Sequence, residues 1–478
     1  MTTEKLKIGF VQARNSIDVN WFRPLVFGYL KAYLEKYLDV PFQMDFLEHP
    51  APYEKYDIVG ISSTSQDFGI AKVIAECVKQ CRKETVTVLG GHHITYLPQT
   101  LPEVVDIGVI GEGEQTFLEL VQFISKCFPN LDLDKMEQIK GIAFRHREQV
   151  KLTPRRDQIA SLDQIPFPVR AEGESTYLFT SRGCPYKCAF CSSAAFWETT
   201  RFFSAEYVVN EVGVLLERFA ALKHICICDD LFVANLPRLR TIVRLMEDRG
   251  FCGKVTFSAS VRSNLVTDEL CDLLKRINVI AVGIGIESGS NRILKLLNKG
   301  VSVKVAQKAI DILHKHGLDV RGSLIVGCPS ERARDVRQTF KFAVKNIKSS
   351  KISPECAVNI LSPMPGTQVW NEWILQNRID VQRLDWRKLS VFASYRNSEI
   401  NDFDRWLDCR RENDSFYLAE STLPQENLYR LMSRYEKAVE KIKTDRQSGK
   451  TGILKSLYGR CCALHRYARK CISNRIGR

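Results

Sequence analysis

A chain of 478 residues is too long for one compact core and suits two domains with an appendage. Apolar residues make up 45% and charged residues 26%, proportions of a globular protein in water, and the most apolar run (residues 278–286) is far too short to span a bilayer. Net charge is +14, but residues 425–478 hold fourteen Lys/Arg against four Asp/Glu, so the body is nearly neutral and no nucleic-acid partner is expected.

The first residues lead straight into a strand with no signal-peptide pattern. Sixteen cysteines without a repeating framework point to reduced thiols, and a cytoplasmic location is expected. Residues 7–11 read as a short buried strand, and residues 24–38 carry apolar side chains at helical spacing. Strands follow at 56–63, 85–89 and 106–110, separated by helices at 69–82 and after residue 116. This alternation predicts an α/β fold with a doubly wound parallel sheet. Ligands of such sheets lie at the carboxyl ends of the strands. Ser62, Ser63, Gly90, Gly91, His92, Gly111, Glu112, Gly113 and Glu114 fall there. The glycines do not make G-x-G-x-x-G, which disfavours a dinucleotide.

Residues 141–172 read as a linker, with a hairpin at 141–152 and two prolines, Pro166 and Pro168, that deny regular structure. Beyond it the alternation resumes, with strands at 177–181, 224–228, 255–261, 279–286, 320–326 and 357–362. Six strand–helix units are too few for a closed eight-fold barrel. Polar residues cluster at the strand ends: Asp229, Asp230, Arg262, Asn264, Glu287 and Ser288.

The first of these strands runs into Gly183-Cys184-Pro185-Tyr186-Lys187-Cys188-Ala189-Phe190-Cys191. Three cysteines at C-x3-C-x2-C spacing have no fourth cysteine in the loop. Structural zinc wants four closed ligands, and ordinary low-potential clusters want four cysteines. Three thiolates on a four-iron cluster leave one iron open for a small molecule.

This triad, with Phe190 before its last cysteine, resembles the signature of the radical S-adenosylmethionine enzymes. The resemblance implies a 4Fe-4S cluster on Cys184, Cys188 and Cys191, with S-adenosylmethionine on its open iron and a six-unit partial barrel over residues 173–370. It extends to the first domain: a Ser/Thr turn, Gly90-Gly91-His92 and Gly111-Glu112-Gly113-Glu114, in order, are similar to the cobalamin-binding domain that precedes the barrel in one large subfamily. That domain is assigned to residues 1–140. The Asp-x-His-x-x-Gly motif that supplies a cobalt ligand elsewhere is absent, and such domains either hold the corrinoid or keep only the fold.

By the same resemblance, Asp229 or Asp230 accepts hydrogen bonds from the methionyl ammonium while the other caps a turn. Glu287 and Ser288 lie in a ribose-contacting stretch, and Ile325 and Gly327 in an adenine-contacting one. Arg262 pairs either with the methionyl carboxylate or with Asp229 or Asp230. The roles of Lys299 and Pro365-Gly366-Thr367 stay open. The implied chemistry is methylation of an unactivated carbon or phosphorus of a small molecule or peptide by way of a 5′-deoxyadenosyl radical, with electrons from a flavodoxin or ferredoxin. The alternatives are radical oxidation, cyclisation or rearrangement without methyl transfer, or a cluster kept for electron transfer or regulation.

Residues 371–478 form an aromatic and basic region expected to be mostly helical. Residues 453–471 place apolar and basic positions at helical spacing. Such a helix either touches an anionic membrane surface or packs its apolar side on the barrel.

Overall fold

A computed structural model of the chain describes residues 5–14, 25–146, 149–170, 177–386, 389 and 423–448. Its first sheet has seven strands: β1 (Leu6–Gln12), β2 (Phe42–Leu47), β3 (Ile58–Ser62), β4 (Val86–Gly90), β5 (Ile107–Val109), β6 (Ile142–His146) and β7 (Gln149–Leu152). They lie in the order β2-β1-β3-β4-β5-β6-β7, and the first five are parallel. Each face carries its own core. Ile8, Phe10, Ile58 and Val88 pack with the helices Leu25–Tyr37 and Glu114–Cys127, while Val11, Val59, Ile61 and Leu89 pack with the helix Phe68–Cys81. The sheet is doubly wound, as the alternation predicts.

Two differences have simple physical causes. The hairpin read as part of the linker joins this sheet, because the backbone groups at the β5 edge need partners and β6 supplies them antiparallel. Ile142, Ala143 and Phe144 are fully buried there, so the sheet continues past residue 140. Strand β2 escaped the sequence reading because an outer strand, half exposed, carries no apolar run.

The strand expected at 177–181 is divided into β8 (Tyr177–Leu178) and β9 (Ser181–Arg182). β9 pairs antiparallel with β10 (Arg201–Phe202), so the cysteine loop between them is closed at its base. β8 opens a second parallel sheet with β11 (His224–Ile227), β12 (Thr256–Val261), β13 (Val279–Glu287), β14 (Asp319–Val326) and β15 (Ala357–Ile360), in the order β15-β14-β13-β12-β11-β8. Six parallel strands form the expected partial barrel. Its helices start cleanly: Ser204, Asn235, Thr267 and Ser302 each accept a backbone N–H three residues on. Ile225, Ile227, Phe257, Ala259 and Val261 join the core with the surrounding helices. The alternate positions are polar: His224 lies 2.8 Å from Thr256 Oγ1 and 3.0 Å from Ser258 Oγ.

After the barrel, Trp370, Trp373 and Trp386 enter the core beneath the first sheet, where Trp386 meets His93 edge-on at 4.5 Å. The helix Gln425–Gln447 packs on the helix Ala333–Lys348, with Tyr435 stacked on Phe340 at 4.6 Å. The basic segment at 453–471 and the aromatics Phe392, Tyr395, Trp406, Phe416 and Tyr417 lie outside the described residues. Among the described residues no helix is long and apolar enough to cross a membrane.

Candidate active site between the sheet edge and the barrel mouth

The cysteine loop begins at Gly183, whose φ is +87°. A Cβ there would lie 2.8 Å from Trp197 Cβ and 2.9 Å from the Thr199 carbonyl, so only glycine fits. Cys184, Cys188 and Cys191 are free and half-buried, and burial raises the pKa of Cys184 and Cys191. Among the described residues, Asp134, Glu137 and His146 are the one set of three such groups whose ligand atoms all lie within 4.8 Å of one another. The three loop sulfurs therefore do not. A tetrahedral zinc, at about 2.3 Å from each sulfur, would draw them to roughly 4 Å. At least one pair of them is therefore wider apart than a single tetrahedral ion would hold them.

Beside this loop sits Arg262, 6% exposed. Its guanidinium lies 3.7 Å over the Tyr186 ring, and Nη1 is 3.7 Å from Cys188 Sγ. Nε donates to Asn264 Oδ1 at 3.0 Å, and Asn264 in turn donates to the Tyr186 hydroxyl. The internal salt bridge to Asp229 or Asp230 is not formed. A buried cation without a carboxylate partner among the described residues leaves the loop prepared for an anionic group.

The two adjacent carboxylates have separated roles. Asp229 is buried, accepting the Thr180 N–H at 2.6 Å and the Thr180 and Ser181 hydroxyls at 2.5 and 2.7 Å. Burial raises its pKa despite these bonds. It ties the end of β11 to the root of the cysteine loop. Asp230 is the exposed member, accepting from Ser193.

Glu287 stands at a left-handed φ of +59° and forms a buried ion pair with Lys299 at 2.8 Å. A Cβ on Gly285 would fall 2.3 Å from Glu287 Oε1 and 2.8 Å from Lys299 Nζ, so that glycine makes room for the pair. Lys299 thereby acquires a role that its sequence did not reveal. Ser288 is fully buried, and its hydroxyl bonds to Thr339 Oγ1 and receives the Ser290 N–H. Ile325 packs with Ala189 and Phe190 of the cysteine loop.

Gly327 (φ +78°) and Cys328 donate their N–H groups to Glu331 Oε2 at 2.6 and 3.0 Å. Burial raises the Glu331 pKa to about 7. A carboxyl more basic folded than unfolded stabilises the fold at low pH, and that contribution is lost as pH rises to the folded value. Glu331→Gln keeps an acceptor oxygen without the charge. Between about pH 4.5 and 7, wild-type stability is expected to fall by up to about 3 kcal/mol relative to this variant, measured by denaturant unfolding across pH. Parallel curves would refute it.

At the edge of the first sheet, Gly90 and Gly111 face open space, where an added Cβ would meet nothing within 4 Å. Gly91 (φ +110°) passes so close to Ser63 that a Cβ would lie 2.4 Å from its carbonyl oxygen. Ser62 is half-buried at the end of β3, whereas the Ser63 side chain is buried and donates to the Thr64 carbonyl. His92 is exposed to the cleft with its ring stacked 4.7 Å from Phe196, and the atoms crowded around it lower its basicity although water still reaches it. His93 is interior: it lies between Ser65 and Thr100 at 3.1 and 3.0 Å, stacks on Phe68, and burial lowers its pKa to about 3. The flat, open edge fits a large ligand laid against backbone.

The carboxylates of Glu112 and Glu114 are held by arginines that flank the cysteine loop. Arg182, directly before Gly183, meets Glu112 and Glu114 at 2.5 Å each, and Arg201 meets Glu112 at 2.9 Å. Burial pushes the Glu112 pKa up, but the two arginines outweigh it and hold it below the usual range. Tyr96, after the Gly-Gly-His turn, donates to the Ser192 carbonyl at 2.6 Å. Gly366 leaves room for the Tyr96 ring, and Thr367 caps the helix Gln368–Asn377. Sequence reasoning missed Arg182, Arg201 and Tyr96 as functional residues, because a lone residue of these types carries no spacing signal.

Two family models match the chain: the radical SAM superfamily over residues 178–343 and the B12 binding domain over residues 23–121. An uncharacterized methyltransferase of Pyrococcus horikoshii is 32% identical over 350 residues, covering 70% of this chain and 72% of that protein. The cytidylyl-2-hydroxyethylphosphonate methyltransferase of Streptomyces wedmorensis is 26% identical over 461 residues, covering 80% and 83%. The solved structure of the radical S-adenosylmethionine methyltransferase TsrM from Kitasatospora setae, with cobalamin and a [4Fe-4S] cluster bound, has the same fold, with a TM-score of 0.68 at 16% identity over 92% of this chain and 89% of that one. The chain belongs to the radical S-adenosylmethionine enzymes that carry a B12-binding domain ahead of the barrel.

Proposed function

We propose that the protein methylates an unactivated carbon or a phosphorus atom of a small molecule or peptide. One observation carries this reading: the open edge of the first sheet and the cysteine loop are fastened to each other, through Glu112 and Glu114 to Arg182 and through Tyr96 to Ser192, so their ligands meet in one cleft. Cys184, Cys188 and Cys191 hold a [4Fe-4S] cluster, and S-adenosylmethionine sits at the mouth between Asp230, Arg262, Glu287 and the backbone around Ile325 and Gly327. Cobalamin lies on Ser62, Gly90, Gly91, His92, Gly111 and Gly113. Bound together, these groups supply a radical able to take hydrogen from an unactivated carbon and a carrier for the methyl group.

The chain's own residues bind and orient. Arg262 offers its buried guanidinium to a carboxylate while touching the sulfur of Cys188. Glu287 is fixed in place by its ion pair with Lys299, so its remaining oxygen accepts hydroxyl donors without rearranging. Phe190 and Ile325 close the apolar side of the loop and keep water from it.

The test is anaerobic incubation with reductant, S-adenosylmethionine and cobalamin, alongside corrinoid absorbance of the purified protein. S-adenosylhomocysteine together with 5′-deoxyadenosine, from protein holding about one corrinoid, is the expected result. Deoxyadenosine alone would move the assignment to radical oxidation, cyclisation or rearrangement. A protein active without any corrinoid would overturn it.

A further inference from the structure

The near-neutrality of the body is an average over opposites. Residues 291–351 hold fourteen Lys/Arg against four Asp/Glu, as unbalanced as the terminal segment, while the chain outside these two segments has 41 Lys/Arg against 47 Asp/Glu. Of those four acids, Glu331 and Asp335 are buried, so the exposed surface is more basic still. Lys295, Lys304, Arg334, Arg337 and Lys341 are exposed and have no acidic partner among the described residues. The ordinary fate of surface lysines is to be interleaved with acids on a solvated face, and here they are not.

This face borders the cysteine loop. The Ala189 N–H donates to the Leu297 carbonyl at 3.0 Å, and Asn298 Nδ2 donates to the Lys187 carbonyl at 2.6 Å, which bonds the helix Asn291–Leu296 to the loop. Arg292 then joins that helix to the start of the helix Ala333–Lys348 through Asp335 at 2.6 Å. Lys187, exposed between Cys184 and Cys188, continues the basic surface up to the cluster ligands themselves. A cavity of about 430 Å³ between Gly289–Arg292 and Arg334–Gln338 indents its centre.

We infer that this face docks an acidic one-electron carrier protein, which gives one electron to the cluster and is itself oxidised by one. The inference rests on the cluster reading above. Electrons must enter from outside, and exposed Lys187 and the basic face bonded to the loop through Leu297 and Asn298 lie beside the cysteines. A single-sign patch steers an oppositely charged partner to its docking site and loses that advantage when salt shortens the Debye length.

The experiment uses full-length reconstituted protein and follows cluster bleaching after rapid mixing with flavodoxin hydroquinone, at low and high salt, with dithionite as the small-molecule control. The variant is Arg334→Glu/Arg337→Glu/Lys341→Glu, three exposed positions on the helix Ala333–Lys348. The first of them lies in its opening turn, where a carboxylate is favoured by the helix dipole. Unfolding by denaturant checks that the fold is kept. The expected result is a drop of tenfold or more in the flavodoxin rate at low salt, a wild-type rate that falls with salt, and an unchanged dithionite rate. Equal flavodoxin rates in variant and wild type, or a wild-type rate indifferent to salt, would overturn the docking face. Wild-type protein that dithionite does not bleach would overturn the cluster reading and this one with it.

Discussion

Replacing Cys184, Cys188 and Cys191 together by alanine is expected to abolish iron and sulfide uptake on anaerobic reconstitution. The loop is shaped before any metal arrives: β9 and β10 close its base, Gly183 sets its turn, and Asp229 ties its root to β11. The cysteines are half-buried and make no disulfide, so alanine removes a thiol without emptying a core. The fold should therefore survive, with an unchanged circular dichroism spectrum and a stability change near the usual 1 kcal/mol of a point substitution per site. Loss of iron with retention of fold separates ligation from structure. Iron and sulfide bound at wild-type levels would remove the cluster from this loop and the proposed function with it.

The second large effect concerns Arg182. Arg182→Met leaves Glu112 and Glu114, 7% and 4% exposed in their side chains, facing a neutral group. Breaking a buried ion pair from one side costs about 3–5 kcal/mol, because the remaining charge is stranded. Arg201 still meets Glu112, so the loss belongs at the lower end of that range. The cost falls on the junction between the sheet edge and the cysteine loop, so corrinoid affinity should drop even where the protein stays folded.

A pH dependence accompanies it. Glu112 is held below its usual pKa, so its contribution is present above the unfolded value and is lost as pH falls through the folded one. The acid limb of the stability curve should be steeper in wild type than in Arg182→Met. Chemical denaturation from neutral to acid pH, with corrinoid titration at neutral pH, measures both. Equal stability and equal corrinoid affinity would show the clamp to be ornamental.

Much of the architecture was legible because its signals are local. Period-two and period-3.6 patterns in β1, β3, β4 and β12 to β14, and in the helices between them, follow from which side of each element meets the core. The cysteine spacing is equally local, since three ligands within eight positions need only one loop to meet. The strand at β2 and the division of β8 from β9 were not legible, since both depend on what pairs alongside.

What the sequence determined by itself is therefore the two-domain α/β plan, the loop and the order of the polar strand ends. What only the tertiary structure decided is which of those polar residues face the cleft. Glu112 and Glu114 sit at a strand end as a ligand-binding turn would, yet Arg182, some seventy residues away, claims them. Asp229 and Asp230 are adjacent and chemically alike, but β11 turns one towards Thr180 and Ser181 and leaves the other in solvent. Ser288 is fastened to Thr339, fifty-one residues on, while Glu287 beside it finds Lys299. A carboxylate or hydroxyl announces that it needs a partner. Which partner it gets is set by the long-range packing that brings a charge within hydrogen-bond reach, and no pattern along the chain records it.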